Sequence, residues 1–169
     1  MSTAPRGAYR ALAVTASNRA AEGVYEDKGG PLIVQRLTAM GFETDGPSVV
    51  PDGEPVAEVL RTAVSTEYDV VVTTGGTGIS PTDRTPEVTR ALLDFEIPGI
   101  AEAVRAEGIG KVPTAALSRG TAGVAGRTLI VNLPGSTGGV RDGLDVLDRL
   151  LMHAVEQIHG GDHLGGEAD

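Results

Sequence analysis

Two aspartates stand in short segments rich in glycine, proline and hydroxyl residues, outside any helical pattern. Asp52 belongs to the segment Pro51-Asp52-Gly53, and Asp83 follows a Thr-Thr-Gly-Gly-Thr-Gly run. Carboxylates placed in turns can hold Mg²⁺ together with water and phosphate oxygens. The alternative is a local role, because aspartate is favoured in turns and caps for its hydrogen bonds to nearby backbone. Asp52 and Asp83 are therefore the candidate catalytic and metal-binding residues.

A glycine-rich turn is the second candidate feature. It comprises Thr74, Gly75, Gly76, Thr77 and Gly78. Such a turn lets a ligand approach the backbone closely, so that amide groups can converge on phosphate oxygens. It is not a Walker loop, since no Lys-Ser or Lys-Thr pair follows at the required spacing, and it lacks the third glycine of a dinucleotide fingerprint. A plain tight turn between a strand and a helix remains an equal alternative.

A second turn of this kind precedes the last helical segment. It contains Asn132, Pro134, Gly135 and Ser136. Ser136 or Thr137 can cap the helix that follows, while the exposed amides and the positive end of the helix dipole attract an anion. Capping alone is favoured over phosphate binding unless another phosphate-binding turn faces this one. The glycine-rich turn is the candidate for that position, and two anion-binding turns together would suit a nucleotide.

Several other polar residues are weaker candidates. Arginine and lysine side chains could contact phosphate, although a solvated surface position is the usual situation of such residues. These cations are Arg19, Lys28, Arg84, Arg119 and Arg141, of which Lys28 and Arg119 deserve most notice. The histidines His153, His159 and His163 have poor spacing for a metal site. The absence of cysteine excludes disulfides, thiolate ligands and a cysteine nucleophile.

Strands and helices alternate along the chain in the pattern of a parallel sheet covered on both faces. The predicted strands are 9–15, one ending at 48–50, 68–74, a short edge strand at 114–117, and 128–133. The predicted helices are 30–40, 54–64, one beginning at Pro86, 95–110, and a long helix at 137–158. In sheets of this type ligands bind beyond the carboxyl ends of the strands, where the candidate turns lie.

Size and charge narrow the classes of function. The chain has 169 residues and 40% apolar composition, which suits one domain over residues 1–160 with a flexible tail at 161–169. A net charge of −9 and 3% aromatic residues argue against nucleic-acid partners. No stretch has the length of a membrane span or the pattern of a signal peptide, so we expect a cytoplasmic protein.

Taken together, these motifs resemble the MoaB/Mog family of molybdenum-cofactor biosynthesis proteins, which includes the bacterial molybdopterin adenylyltransferases. The resemblance spans nearly the whole domain. The segments that carry it are 17–19, 23–29, 50–52, 73–78, 83–87, 117–119 and 132–136. The order and spacing of so many segments make chance similarity improbable.

The resemblance implies a three-layer α/β/α sandwich with a mostly parallel central sheet, assembled as a homotrimer. It implies Mg²⁺-dependent transfer of an adenylyl group from ATP to molybdopterin, with the molybdenum insertion protein of the same pathway as a further partner. The matching positions are Asp52 and Asp83 for magnesium and pterin placement, and Ser17, Asp27, Thr74, Gly75, Gly76, Thr77, Gly78, Asn132, Pro134, Gly135 and Ser136 for ligand contacts.

One position departs from the pattern of the adenylyltransferases. Those members commonly place arginine immediately before the second aspartate, whereas this chain has Thr82 before Asp83 and Arg84 after it. The main alternative is therefore a pterin-binding or scaffold protein that does not turn over ATP. A plain nucleotide-binding module of the doubly wound type is a third interpretation.

Overall fold

A six-stranded, mostly parallel sheet forms the centre of the protein in the computed structural model, which describes residues 7–161. The strands are β1 (Arg10–Ala16), β2 (Glu43–Val50), β3 (Val70–Thr74), β4 (Phe95–Glu96), β5 (Ala122–Ala125) and β6 (Thr128–Leu133). Their spatial order is β2-β1-β3-β6-β5-β4. The first four in this order are parallel, whereas β5 pairs antiparallel with β6 and β4 pairs antiparallel with β5.

Helices connect the strands and cover the sheet. They are α1 (Asn18–Ala21), α2 (Gly29–Ala39), α3 (Glu54–Ser65), α4 (Thr85–Arg90), α5 (Pro98–Ile109), α6 (Thr137–Asp148) and α7 (Leu151–Ile158), with a 3₁₀ helix at Pro113–Leu117. Helices α4 and α5 each have a proline in the first turn, where a missing amide hydrogen is harmless.

Two apolar cores lie on opposite faces of the sheet. Successive side chains of a strand point to opposite faces, so Val70 and Val72 belong to one core and Val71 to the other. Helices α2, α5, α6 and α7 pack on the first face, and α3 packs on the second. Burying one such aliphatic side chain contributes about 1.5–3 kcal/mol. The predicted three-layer α/β/α sandwich with a mostly parallel sheet is confirmed.

The segment 114–117 is not an edge strand as predicted. It forms the 3₁₀ helix that begins at Pro113, and its small side chains pack on α5, where a Cβ added to Gly108 would lie 2.9 Å from the Cβ of Ala115. The antiparallel edge is built instead from β4 and β5. The predicted helix over 95–110 therefore begins only at Pro98, because Phe95 and Glu96 pair with β5.

The single helix predicted over 137–158 is two helices. Leu150 has φ −134° and ψ −18°, which interrupts the helix between α6 and α7. Leu147 before the break and Leu151 after it are both buried in the same core. The apolar spacing is helical on both sides of the break, so the sequence pattern gave no sign of it.

The predicted boundary between the domain and its C-terminal tail lies at the end of the described residues. Most of the predicted tail at 161–169 and His163 lie outside the described residues. Across residues 7–161, no helix is both long enough and apolar enough to cross a bilayer.

Candidate active site

Four turns meet at one edge of the sheet. They follow the carboxyl ends of β1, β2, β3 and β6, which are neighbouring parallel strands. Because parallel strands point the same way, their carboxyl ends share an edge, and this edge is the usual place for ligands in open α/β sheets. The four predicted turns are thus brought together, although they are far apart along the chain.

The glycine-rich turn contacts the turns on both sides of it. Gly75 has φ +89°, and a Cβ at this position would lie 2.3 Å from the carbonyl oxygen of Ala16 at the end of β1. On the other side, the hydroxyl of Thr74 donates a hydrogen bond of 2.7 Å to the carbonyl oxygen of Pro134. A Cβ on Gly135 would lie 3.4 Å from the Cα of Gly75. Only a residue without a side chain fits at position 75.

The carboxylate of Asp52 is tied into the protein by several hydrogen bonds. It accepts from the backbone amides of Gly53 at 2.6 Å and Arg84 at 3.2 Å, and from the hydroxyl of Thr85 at 3.2 Å. It also covers the glycine-rich turn, since a Cβ on Gly76 would lie 2.4 Å from its Oδ2. Asp52 therefore links the turn after β2 to the turn after β3.

Two opposing influences act on the charge of Asp52. Partial burial raises the pKa of its carboxyl group above the ordinary value, and the negative charge of Asp83 raises it further. The hydrogen bonds from Arg84, Gly53 and Thr85 lower it but do not cancel the rise. A cation bound nearby would stabilise the ionised carboxylate of Asp52. It would thereby offset both the cost of burying that charge and its repulsion from Asp83.

The carboxylate of Asp83 accepts fewer hydrogen bonds from the protein than that of Asp52. Its Oδ2 accepts one hydrogen bond of 2.9 Å from the backbone amide of Ser80 and lies close to Gly78, where an added Cβ would be 2.8 Å away. The rest of its hydrogen-bonding capacity is open to a ligand. The two predicted metal-binding aspartates thus both lie beside the glycine-rich turn, Asp52 at Gly76 and Asp83 at Gly78.

The described residues hold no complete metal cage. Within residues 7–161, no group of three or more His, Asp or Glu side chains is placed to bind a metal ion alone. Two carboxylates with water and phosphate oxygens are a sufficient set for Mg²⁺, which keeps several water ligands. The donors fit a cation that is shared with a phosphorylated substrate.

Three of the predicted ligand contacts have a local structural partner. Ser17 caps α1 by accepting from Ala20, and Ser136 caps α6 by accepting from Gly139 at 3.0 Å. Asp27 accepts from the hydroxyl of Thr15 at 2.9 Å and from the amide of Gly30 at 3.0 Å. Their hydrogen bonds orient the start of each helix toward the shared edge of the sheet.

Asn132 and Thr77 have side chains occupied inside the protein. The amide of Asn132 is 4% exposed and donates to Thr73 and Thr89, while its oxygen accepts from the backbone of Thr121. Thr77 is also buried, and its hydroxyl accepts from Ser118 at 3.3 Å. These two side chains fix the neighbouring strands and turns, and a ligand at either position would meet backbone.

A large cavity of about 700 Å³ opens beside the glycine-rich turn. Its walls are the turns at Gly76 and Gly135 on one side and α5, the 3₁₀ helix and α6 on the other. Asp83 faces it, and most of its lining is apolar. Ligand pockets for small molecules commonly have this size and character.

A small cavity of about 130 Å³ lies on the other side of the same turns. Ser17, Tyr25, Asp27 and Lys28 contribute to its walls, together with Gly75. Gly135 lines both cavities, so the backbone of the turns at 75 and 135 forms the wall between them. The site therefore has two adjoining compartments.

The candidate cations fall into different environments. Lys28 is exposed and lines the small cavity, and Arg141 lines the large one. Arg19 and Arg84 are exposed at the edges of their turns. Arg119 instead binds backbone, through the carbonyl oxygens of Gly78 at the end of the glycine-rich turn and of Asp83 after it.

The sequence motifs did not predict the residues that form one wall of the large cavity. Arg105, Lys111 and Val112 line it from α5 and the segment that follows. Lys111 forms an ion pair of 2.6 Å with Asp142 of α6, which closes one side. The rule that ligands bind beyond strand ends could not find these residues, because they lie on a helix and in the segment directly after it. The Lys-Val-Pro sequence after α5 was the available signal.

The histidines do not form a site within the described residues. A ring nitrogen of His159 lies 2.6 Å from Asp69, and the ring stacks on Tyr9 with centroids 5.4 Å apart. This cluster lies next to the amino end of β3, away from the four turns. His159 therefore fastens the end of α7 to the sheet.

Known proteins are similar to this chain in both sequence and fold. A family model described as a probable molybdopterin binding domain matches residues 12–153. The solved structure of the molybdopterin biosynthesis Mog protein from Mycobacterium ulcerans is 58% identical and superposes with a TM-score of 0.86, covering 89% of this chain and 99% of that one.

Two curated relatives differ in their length. The molybdopterin adenylyltransferase of Helicobacter pylori is 36% identical over 154 residues, which are 87% of this chain and 86% of that one. The molybdenum cofactor synthesis protein cinnamon of Drosophila melanogaster is 40% identical over 137 residues. The match spans 79% of this chain but only 23% of cinnamon.

Proposed function

Because the chain belongs to the family described as the probable molybdopterin binding domain, we propose that it is a molybdopterin adenylyltransferase of molybdenum cofactor biosynthesis. The observation that carries this proposal is the meeting of four turns, with Asp52 and Asp83 on one side of the glycine-rich turn and two adjoining cavities around it. The adenylyltransferase of Helicobacter pylori, similar over most of both chains, supports the same reaction.

The proposed reaction joins two anionic substrates. A phosphate oxygen of molybdopterin attacks the α-phosphorus of ATP, the bond from that phosphorus to the bridging oxygen breaks, and pyrophosphate leaves. No covalent enzyme intermediate is needed. The protein would act by positioning the two phosphates and by stabilising charge, which are the main contributions of proteins to such transfers.

The backbone of the turns is suited to hold the phosphates. The amide of Gly75 already donates to the carbonyl oxygen of Leu133 at 3.3 Å, so the amides offered to phosphate would be those of Gly76 to Gly78 and of the first turn of α6, which Ser136 orients. Bound magnesium would be held by Asp52 and Asp83, where it supplies neutralisation of charge between the phosphates. The raised pKa of Asp52 fits this role, since a cation would favour the ionised carboxylate.

The two cavities suit two substrates. The large cavity has room and an apolar lining for the fused rings of the pterin, with Arg141 and Lys111 among the residues around it for a terminal phosphate. The small cavity accepts phosphate oxygens near Ser17 and Lys28. The turn between them would bring the reacting phosphates together.

The alternative is a molybdopterin-binding protein without catalytic turnover. The specific observation in its favour is the order Thr82-Asp83-Arg84, which removes the arginine expected before the aspartate. The side chain of Arg84 is exposed, and its backbone amide donates to Asp52. The contact with Asp52 involves only the backbone of Arg84 and does not hold its side chain over the glycine-rich turn.

The two functions are separated by one assay. Purified protein is mixed with molybdopterin, ATP and magnesium, and both pyrophosphate and the pterin adenylate are measured. An adenylyltransferase forms them in equal amounts, and neither appears when molybdopterin is left out. Binding of molybdopterin without either product would establish the alternative.

Further aspects of the proposal concern the assembled protein. We propose a homotrimer in the cytoplasm that passes the pterin adenylate to the molybdenum insertion protein of the same pathway. The exposed apolar side chains of Phe95, Ile109 and Val112 support an assembly, because contacts with a second copy would remove them from water.

A further inference from the structure

The turn that carries Asp83 has little internal support. Residues 75–84 form neither helix nor strand, and Ile79 at the tip is 69% exposed. Within this segment, Ser80 and Asp83 exchange two hydrogen bonds, from the Ser80 amide to the carboxylate and from the Asp83 amide to the Ser80 carbonyl oxygen. These local bonds shape the tip but do not attach it to the rest of the protein.

Arg119 attaches both ends of this segment. Its Nε donates to the carbonyl oxygen of Gly78 at 2.8 Å, and its second terminal nitrogen donates to the carbonyl oxygen of Asp83 at 3.1 Å. Its other terminal nitrogen pairs with Glu87 in the helix that follows. One guanidinium group thus joins the beginning of the loop 78–83, its end, and α4.

The position of Arg119 is itself fixed from the other side. Its backbone amide donates to the carbonyl oxygen of Thr77 at 2.7 Å. The carbonyl oxygens of the neighbouring residues Ser118 and Gly120 both accept from the guanidinium group of Arg105. Arg105 belongs to α5, which forms a wall of the large cavity. The loop with Asp83 is therefore connected through Arg119 to the opposite wall of the cavity.

We propose that Arg119 is a positioning residue that holds the loop 78–83 closed, so that the carboxylate of Asp83 stays beside Gly78 and within reach of Asp52. It acts through these groups and needs no contact with substrate. The catalytic consequence rests on the proposed adenylyl transfer, whereas the effect on the loop does not. A displacement of a reacting group by about 1 Å can reduce a rate about 100-fold.

A lysine cannot replace the arginine in this arrangement. Arginine presents donors in a rigid planar fork, which can reach three acceptors that lie in different directions. Lysine keeps the charge but concentrates its donors at one point. The ion pair with Glu87 contributes less than the carbonyl contacts, since it is solvent-exposed.

The test compares Arg119→Ala and Arg119→Lys with the wild-type protein in the pyrophosphate assay. We expect kcat to fall about 10- to 100-fold in both variants. We also expect the magnesium concentration for half-maximal rate to rise severalfold, while KM for molybdopterin changes little. A merely structural role would not shift the magnesium dependence. Wild-type kcat and magnesium dependence in Arg119→Lys would overturn the proposal.

Two control variants accompany these. Arg61→Ala removes an arginine from an exposed ion pair with Glu54 on α3, and it should behave as wild type. Glu87→Gln removes the ion pair but leaves both carbonyl contacts, so it should retain most of the activity. Activity in Glu87→Gln as low as in Arg119→Ala would place the effect in the ion pair and overturn the role assigned to the carbonyl contacts.

Hydrogen exchange tests the loop independently of catalysis. Amides of residues 78–84 should exchange faster in Arg119→Ala than in wild type, whereas those of β3 should not change. If wild-type protein forms no pterin adenylate, the proposed function fails, and the exchange measurement still decides whether Arg119 holds the loop. Unchanged exchange at 78–84, or an equal increase over the whole chain, would overturn the proposal.

Discussion

Asp52 and Asp83 differ in how much of their hydrogen-bonding capacity the protein itself uses. Asp52 accepts from two backbone amides and one hydroxyl, whereas Asp83 accepts from a single amide. A carboxylate that satisfies several internal donors supports the fold as well as a ligand, because those donors lose their partner when it is removed. The two residues should therefore separate in their effects on stability.

Replacement of each aspartate by alanine tests this difference. Asp83→Ala should abolish most pyrophosphate release with a loss of less than about 1 kcal/mol in the free energy of unfolding. Asp52→Ala should lose activity and should also lower the free energy of unfolding by about 1–3 kcal/mol, since it leaves partly buried donors without an acceptor. Urea unfolding and the pyrophosphate assay measure the two effects. Equal losses of stability would show that the contacts of Asp52 do not support the fold.

The raised pKa of Asp52 also predicts a dependence of stability on pH. The pKa of an unfolded aspartate is about 3.9, and burial and the charge of Asp83 raise the folded value above it. Between the two values the folded protein keeps a proton that the unfolded chain has released. The free energy of unfolding must therefore fall as pH rises through this window.

Asp52→Asn provides the comparison, because asparagine does not titrate. The stability of wild type relative to Asp52→Asn should decrease as pH rises from below about 3.9 to above the folded pKa, and should then become constant. Urea unfolding at a series of pH values measures the difference. A difference that increases over this range would mean that the pKa of Asp52 is lowered in the folded protein.

The elements that form the shared edge were predictable because their signals are local. Buried runs such as 70–74 and 128–133 indicate parallel strands, and the turn residues follow at the strand ends. The short strand β5 was not predicted, because a run of four small residues has no clear period. The cavity wall at Lys111 and the role of Arg119 depend on contacts between distant segments, which no local pattern reports.

At the same scale, the glycine-rich turn depends on positions that exclude a side chain. Gly76 has φ +67°, and an added Cβ would lie 2.2 Å from the hydroxyl of Thr85 as well as close to Asp52. Gly76→Ala should lower the free energy of unfolding by more than about 1 kcal/mol and displace Asp52, so activity should fall too.

Gly138→Ala is the matched control for that variant. Gly138 lies in the first turn of α6, and a Cβ there would meet no atom within 4 Å. Alanine should be neutral there or stabilise the protein by about 0.4–1 kcal/mol, because it favours the helix. Thermal unfolding of both variants measures the contrast. A Gly76→Ala protein as stable as Gly138→Ala would show that the turn can accept a side chain.

At the scale of the whole molecule, the exposed apolar residues predict assembly. Phe95 is 59% exposed on the edge strand β4, and Val112 is 54% exposed after α5. Light scattering coupled to gel filtration should give a mass about three times that of the 17.3 kDa chain. A monomer at micromolar concentration would contradict the trimer, and Phe95→Glu would identify whether β4 lies at the contact.

The wall between the two cavities consists of backbone at Gly75 and Gly135, tied together by the bond from Thr74 to Pro134. Backbone at this wall can stay in place when either compartment is filled, so both substrates can be bound at the same time. Kinetics should therefore be sequential, so that double-reciprocal plots for ATP at several molybdopterin concentrations intersect. Parallel lines would mean that one product departs before the second substrate arrives.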